Sequence, residues 1–411
     1  MKNLFENSER GLLTYKNIEE AVENLHGVST KTGLIYSDVF SLECGNKVYI
    51  KPENLQVTGA FKIRGAYNKI CKLSKEEKKN GIIASSAGNH SQGVAYAAKL
   101  LGVNATIVMP KNTPLIKVSS TRSYGANVIL HGTCYDEAYS KAVELQKLNN
   151  YSFVHPFNDI DVIAGQGTIA VEIIEEIKNI EYILVPIGGG GLISGVAFAA
   201  KSINPNIKII GVEPNGAAAM KKSIKDNKVV SLDSVTTIAE GVAVKTPGDL
   251  AFGIIRDYVD DIVTVSDEEI MEAFLMIVEK HKLVSETSGA VSLAGLKKLN
   301  VKDKKVACIL SGGNIDVVTI SSMINSGLVS RGRLFCFSVE LPDKPGELVE
   351  ISKRLADLNA NVIGLEHNQF KAYDRLKNVV LEITCETNGL DHINQIVSEL
   401  NTAGYIVKKV Y

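Results

Sequence analysis

The stretch YILVPIGGGGLISGVAFAA (182–200) carries the pattern that decides the fold. An apolar, β-branched run (182–187) meets four consecutive glycines, Gly188, Gly189, Gly190 and Gly191, and an apolar helical pattern starts at Leu192. Strand, glycine turn and helix in that order open a βαβ unit. The same grammar repeats outward on both sides. The runs VYI (48–50), GIIAS (81–85), ATIVM (105–109), NVIL (127–130), IKIIGV (207–212), IVTV (262–265) and VACIL (306–310) alternate with helical segments. Between two of them, Val94, Ala97, Ala98 and Leu101 fall on one helix face. Alternation from residue 48 to 325 predicts an α/β fold with mostly parallel sheets, covered on both faces by helices. Ligands of such sheets bind beyond the carboxyl ends of the strands, so the loops there are the first places to look for chemistry. The first 45 residues read as helix and irregular chain wrapped around this body.

A different pattern follows SGLVSRGR (326–333), which reads as a linker. Phe335, Phe337, Val339 and Leu341 alternate at period two, and Leu348, Ile351, Leu355 and Leu358 then keep helical spacing. Val379, Leu381, Ile383 and Cys385 alternate again, and Ile393, Ile396, Val397 and Leu400 mark a second helix. With strands near 361–373 and 404–409 the tail reads βαββαβ, a ferredoxin-like unit. The expected domains are therefore 1–325 and 334–411, within the two or three that 411 residues allow.

Composition excludes several functions. Forty-five basic and 46 acidic residues leave a net charge of −1, too weak a field to gather nucleic acid. No run approaches the ~18 apolar residues of a membrane helix. Acidic residues are scattered through the first 25 positions with no apolar core, so no secretory signal is expected and a cytoplasmic location is. The six cysteines lie far apart without metal-ligand spacing, which suits free thiols in a reducing compartment rather than disulfides or zinc. No metal site is expected.

Four segments carry chemistry. In GGGGL (188–192) bare backbone N–H groups can close around a phosphate at a helix N-terminus. Ile193 and Ser194 stand where a dinucleotide fingerprint needs its third glycine, and no Walker lysine follows. The plainer alternative is a flexible turn, for which two glycines suffice. SSAGNH (85–90) also follows a strand and opens a helix; Ser86, Asn89 and His90 suit a carboxylate or other oxyanion, against the alternative of a helix cap with a surface histidine. SGGN (311–314) is a third loop of this kind. In TGAFKIRGAYNK (58–69), Lys62 is either ordinary solvated surface or a buried amine whose lowered pKa suits Schiff-base chemistry.

TGAFKIRGA, SSAGNHSQGVA, GGGGL and SGGN, in this order, resemble the fold-type II pyridoxal-phosphate enzymes, and within them the threonine dehydratases (threonine ammonia-lyases), over residues 1–325. The tail, with LPDKPGEL (341–348), is similar to an ACT domain. The resemblance implies pyridoxal 5′-phosphate as cofactor and elimination of water and ammonia from an amino-acid substrate. It implies that Lys62 carries the cofactor and moves the Cα proton, with Phe61 packed near the ring. Asn89 would meet the 3′-oxygen, Gly188, Gly189, Gly190, Gly191 and Leu192 the phosphate, and Ser311 the pyridine nitrogen. Ser86, Asn89 and His90 would grip the substrate carboxylate. A neutral serine at the pyridine nitrogen draws less charge into the ring than a carboxylate would, which suits prompt β-elimination.

Ala87 stands where serine racemases carry their second base, so racemisation lacks its opposite-face acid. Glu213 matches part of a cation site in relatives, but Ala217, Ala218 and Ala219 offer no second carboxylate. Glu286, in ETSGA (286–290), is either a near-site residue or a helix cap. Serine preference over threonine stays open, since one methyl separates them. So does an amino-acid sensor with a vestigial catalytic body. The ACT resemblance implies an amino-acid effector, isoleucine or valine for a biosynthetic role, against a purely structural dimerisation module. A homo-oligomer, dimer or tetramer, is expected from the exposed sheet of the tail.

Overall fold

Every apolar run singled out between residues 48 and 310 forms a strand in the computed structural model, which describes residues 13–368 and 378–411. The strands are β1 (Ile35–Ser37), β2 (Lys47–Pro52), β3 (Ile82–Ser85), β4 (Ala105–Met109), β5 (Asn127–Leu130), β6 (Ser152–Phe153), β7 (Tyr182–Pro186), β8 (Lys208–Pro214), β9 (Asp261–Val265) and β10 (Lys305–Leu310). β1 and β6, of three and two residues, are too short to show a period in sequence. They build a six-stranded sheet, β1-β2-β10-β7-β8-β9, and a four-stranded sheet, β5-β4-β3-β6. All pairs are parallel except β1 with β2. This first unit spans 1–315 and a second spans 316–411.

Parallel strands are buried on both faces, and the sequence meets that demand with continuous apolar runs. Ile183, Val185, Ile209, Ala307 and Ile309 pack with the helices Ile160–Glu176 and Gly191–Ile203 under the larger sheet. Ile82, Ala84, Ala105, Ile107 and Val128 form the core of the smaller one. The helix Lys62–Cys71 gives Ile63, Ala66 and Ile70 to that smaller core. It crosses the helix Ile160–Glu176 through paired glycines: a Cβ on Gly165 would lie 2.6 Å from Gly65 Cα.

In the second unit the helix Val317–Ser330 precedes β11 (Leu334–Pro342), the helix Glu347–Asp357, β12 (Asn361–Asn368), β13 (Asn378–Glu386), the helix Leu390–Thr402 and β14 (Lys408–Lys409). The antiparallel order β12-β13-β11-β14 is that of a ferredoxin-like βαββαβ unit. Phe335, Phe337, Val339, Leu341, Ile351, Leu355, Leu381, Ile383, Ile396 and Leu400 fill its core. Two expectations need adjustment, and a third falls partly outside the described residues. Most of the expected linker 326–333 is helical, because the helix carries Gly327 as a buried residue and stops only at Ser330. The turn falls at Gly332, whose φ of 62° and approach to Leu390 exclude a side chain. The strand expected over 361–373 is described as far as Asn368, and 369–373 lies outside the described residues. The last strand is two residues long rather than six (404–409).

Candidate active site

Lys62 is positioned by a loop laced to the end of β10. Gly59 takes a left-handed φ of 71°, and its N–H donates to Gln56 O at 2.7 Å. A Cβ there would fall 2.3 Å from Asn314 Oδ1, so only glycine lets the two loops close. Ala60 bridges Gly312, and the Phe61 N–H donates to Ser311 O at 3.1 Å. From the other side, the helix Asn89–Leu101 rests on the Lys62 backbone at Gly93, where a Cβ would meet Lys62 C at 3.1 Å. Lys62 is half-buried, with its amino group enclosed by protein. Its Nζ donates to Pro156 O at 2.8 Å and lies 5.1 Å from the centre of the Phe61 ring. Burial pushes its pKa down to about 8 against the opposing pull of Glu286. The solvated-surface reading of this lysine therefore falls away.

Asn89 is held at both ends of its amide. Asn314 Nδ2 donates to Asn89 Oδ1 at 2.9 Å and to Thr58 O at 2.8 Å. Asn89 Nδ2 donates to Glu286 Oε1 at 2.7 Å, which leaves it a second N–H. The helix that starts here has no side-chain cap and no acid in its first turn, so its leading amides are open to an anion. Ser86 Oγ accepts the Gly88 N–H at 3.2 Å beside them. His90 turns away: it is buried, its Nε2–H donates to Val154 O at 2.8 Å, and Nδ1 has no partner among the described residues. Burial drops its pKa to about 3, so the ring is neutral and brings no positive charge. What His90 offers an anion is its backbone amide.

The glycine turn after β7 follows the same plan. Gly190 sits at φ 97°, and the helix Gly191–Ile203 begins without a side-chain cap or an acidic first turn. Phe157 fills the space the missing side chains leave. A Cβ on Gly189 would lie 2.3 Å from its ring, and one on Gly191 would lie 2.7 Å from its Cα. These glycines thus answer to a packing partner 32 to 34 residues upstream. Ser311 is buried after β10, its Oγ 3.4 Å from Ser288 O.

Glu286 occupies the N-cap position of the helix Thr287–Ala294 but makes no side-chain cap bond. Its buried carboxyl faces Asn89, Ser288 and Lys62, and burial raises its pKa. Of the two readings of Glu286, the near-site one fits this geometry. Glu286→Ala is expected to cost about 1–3 kcal/mol of transition-state stabilisation, because Asn89 loses its acceptor. Glu286→Gln, which retains an acceptor oxygen, is expected to recover most of it; steady-state kcat/KM measures both. Glu213 is spent on structure: its Oε1 and Oε2 accept the N–H groups of Met220 and Lys221 at 2.9 and 2.8 Å. Burial lifts its pKa to about 7.

Sequence reading missed the turn HPFND (155–159), which supplies both the acceptor for Lys62 and the ring against the glycines. Its histidine, proline and aromatic residue were the available signal. Asn314 was seen only as part of a glycine loop.

Residues 27–312 match the family model described as pyridoxal-phosphate dependent enzyme. The chain belongs to this family, and pyridoxal phosphate is its cofactor. It is 47% identical over 400 residues to the L-threonine ammonia-lyase of Thermotoga maritima, covering 97% of this chain and all of that protein. Among solved structures it is similar to the processed form of threonine deaminase isoform 2 from Solanum lycopersicum, with a TM-score of 0.73 and 39% identity over 76% of this chain and 92% of that one. Maize serine racemase gives the same TM-score at 37% identity, over 77% and 98%. No helix among the described residues is long and apolar enough to cross a membrane.

Proposed function

We propose that this chain converts L-threonine to 2-oxobutanoate and ammonia, with L-serine as a secondary substrate. The observation that carries the reading is an enclosed amine, Lys62, without a carboxylate partner in hydrogen-bond reach among the described residues, with a pKa lowered to about 8, beside the loops that end β3 and β10. The same residues suit the cofactor. The uncapped helix at Gly191 and the turn of Gly188, Gly189, Gly190 and Leu192 suit its phosphate. Phe61 would pack near its ring, the second Asn89 N–H would reach its 3′-oxygen, and Ser311 its pyridine nitrogen. When bound, the cofactor supplies the electron sink for charge left at the substrate Cα.

The chain's own groups bind the substrate and move its Cα proton. Lys62 would bind the cofactor and, once free, take the Cα proton; a pKa of about 8 leaves about a fifth of the amine neutral at physiological pH, far more than an ordinary lysine has. The amides at the head of the helix Asn89–Leu101, His90's included, with Ser86, hold the substrate carboxylate. Ala87 puts no hydroxyl on the opposite face, which favours elimination over inversion. Gly191→Ala would drive a methyl into the Phe157 backbone, and we expect the cofactor Kd to rise about 10-fold or more, read by equilibrium dialysis.

The second unit is assigned to regulation by an apolar amino acid, isoleucine or valine, near the loop 343–348, and to subunit pairing. Support comes from its βαββαβ order and from the edge strand β12, where Ile363 and Leu365 stand exposed. The test follows 2-oxobutanoate from L-threonine with pyridoxal phosphate, with and without isoleucine, and runs L-serine in parallel. Ketoacid that falls with isoleucine supports both units' roles. Activity indifferent to isoleucine and valine removes the effector; no ketoacid from either substrate removes the reaction.

A further inference from the structure

The turn that receives the Lys62 amine is itself built around an imidazole. His155 Nδ1 accepts two backbone N–H groups, from Phe157 at 3.2 Å and Asn158 at 2.8 Å. That pair of bonds folds the turn back on the histidine and points the intervening Pro156 carbonyl at Lys62 Nζ, 2.8 Å away. Asn158 anchors the far side, with Nδ2 donating to Asp249 Oδ1 at 2.7 Å and Oδ1 accepting the Leu250 N–H at 3.1 Å. Phe157 seats on Gly189 and Gly191, and the Gly248 N–H donates to Gly189 O at 3.0 Å. The histidine ring is itself braced by Tyr139, Phe153 and Phe157, with centroids 6.4, 6.2 and 4.7 Å away.

We propose that His155 is a positioning residue for the reaction: by capping the Phe157 and Asn158 amides it fixes the Pro156 carbonyl against Lys62 and ties the amine to the glycine turn. The inference rests on the assignment of Lys62 made above. Only a neutral ring can act so, because Nδ1 must accept. The groups around it keep it neutral: burial and the nearby Lys62 charge outweigh Asp159 and Asp249, and its pKa falls to about 4. Proline at the centre of the turn has no N–H to compete for the same acceptor. The two backbone donors left inside this enclosed turn otherwise have no partner among the described contacts.

The test compares His155→Phe, which retains an aromatic ring without an acceptor, with His155→Asn, whose Oδ1 can accept. In His155→Phe we expect kcat for threonine to fall about 10- to 100-fold with KM changed less than about threefold. His155→Asn should return kcat to within about fivefold of the parent. A second readout uses the cofactor-free protein: the pH midpoint of Lys62 labelling by trinitrobenzenesulfonate, located by peptide mapping, which in the parent is expected at about 8. It should move in His155→Phe and return in His155→Asn, which a general loss of packing does not produce. Should His155→Phe fail to fold, His155→Leu takes its place. Parental kcat and an unmoved midpoint in the acceptor-free variant overturn the proposal, as does equal loss in both variants. Failure of the Lys62 assignment shows separately, as turnover retained by Lys62→Ala.

Discussion

Lys62→Ala is expected to reduce threonine turnover by more than about 10³-fold. General-base catalysis alone supplies about 10²–10⁴-fold. On the proposed assignment the same amine also binds the cofactor covalently, so its removal takes away nucleophile and base together. No neighbour can substitute. His90 and His155 are neutral, with their pKa values at about 3 and about 4, and each has its ring committed to backbone. Glu286 is tied to Asn89. The variant is expected to fold, because a single half-buried lysine with one carbonyl partner contributes little packing. Turnover above about a tenth of the parent in a folded Lys62→Ala protein would sink the mechanism.

Arg64→Met should be the most destabilising single change in the first unit outside its apolar core. Arg64 is fully buried two residues after Lys62 and binds two carboxylates. Its Nε and Nη2 donate to Glu53 at 2.7 and 2.8 Å, and Nη1 and Nη2 to Glu172 at 2.6 and 3.0 Å. Buried Lys51 completes the cluster on Glu172 and Thr32 O. Two cations thus meet two anions in a largely buried site. Burial works against charge on both partners, yet their mutual attraction prevails: Glu53 stays below its usual carboxylate range and Arg64 above its own. Methionine would fill the space but leave one carboxylate uncompensated, a loss of about 3–5 kcal/mol. Adding Glu53→Gln should recover part of this, since Lys51 and Glu172 then remain as a neutral pair. Thermal and urea unfolding of the two variants measure it. An Arg64→Met protein as stable as the parent would mean that the network contributes nothing.

The network also matters to the reaction. It fastens the helix that carries Lys62 to β2 and to the helix Ile160–Glu176, through Lys51, Glu53, Thr168 and Glu172. A slack helix would let the amine drift from Pro156, so part of the activity lost in Arg64→Met should return with the Glu53→Gln companion.

What the amino-acid sequence determined alone was whatever is local along the chain. Apolar runs set the strands, helical spacing set the helices, and glycine-rich turns at strand ends marked the loops SSAGNH, GGGGL and SGGN. Each of these signals lies within about a dozen consecutive residues, the reach of a strand–turn–helix unit. Lys62 and Asn89 stood out as candidates on the same local terms, and their expected roles came from the resemblance that four such motifs carry together. Tertiary structure decided the rest because its partners lie far apart. Glu286 could be a cap or a site residue until Asn89, 197 positions away, proved to be its partner. His90 was read as a side chain for an anion until Val154, 64 positions on, claimed its ring N–H. Lys51, Glu53, Arg64 and Glu172 are unremarkable charges in sequence and become one buried cluster only when 121 residues of chain close between Lys51 and Glu172. Periodicity reports which face of an element is apolar, whereas the pairing of charges and donors depends on which elements meet, and that is settled only by packing.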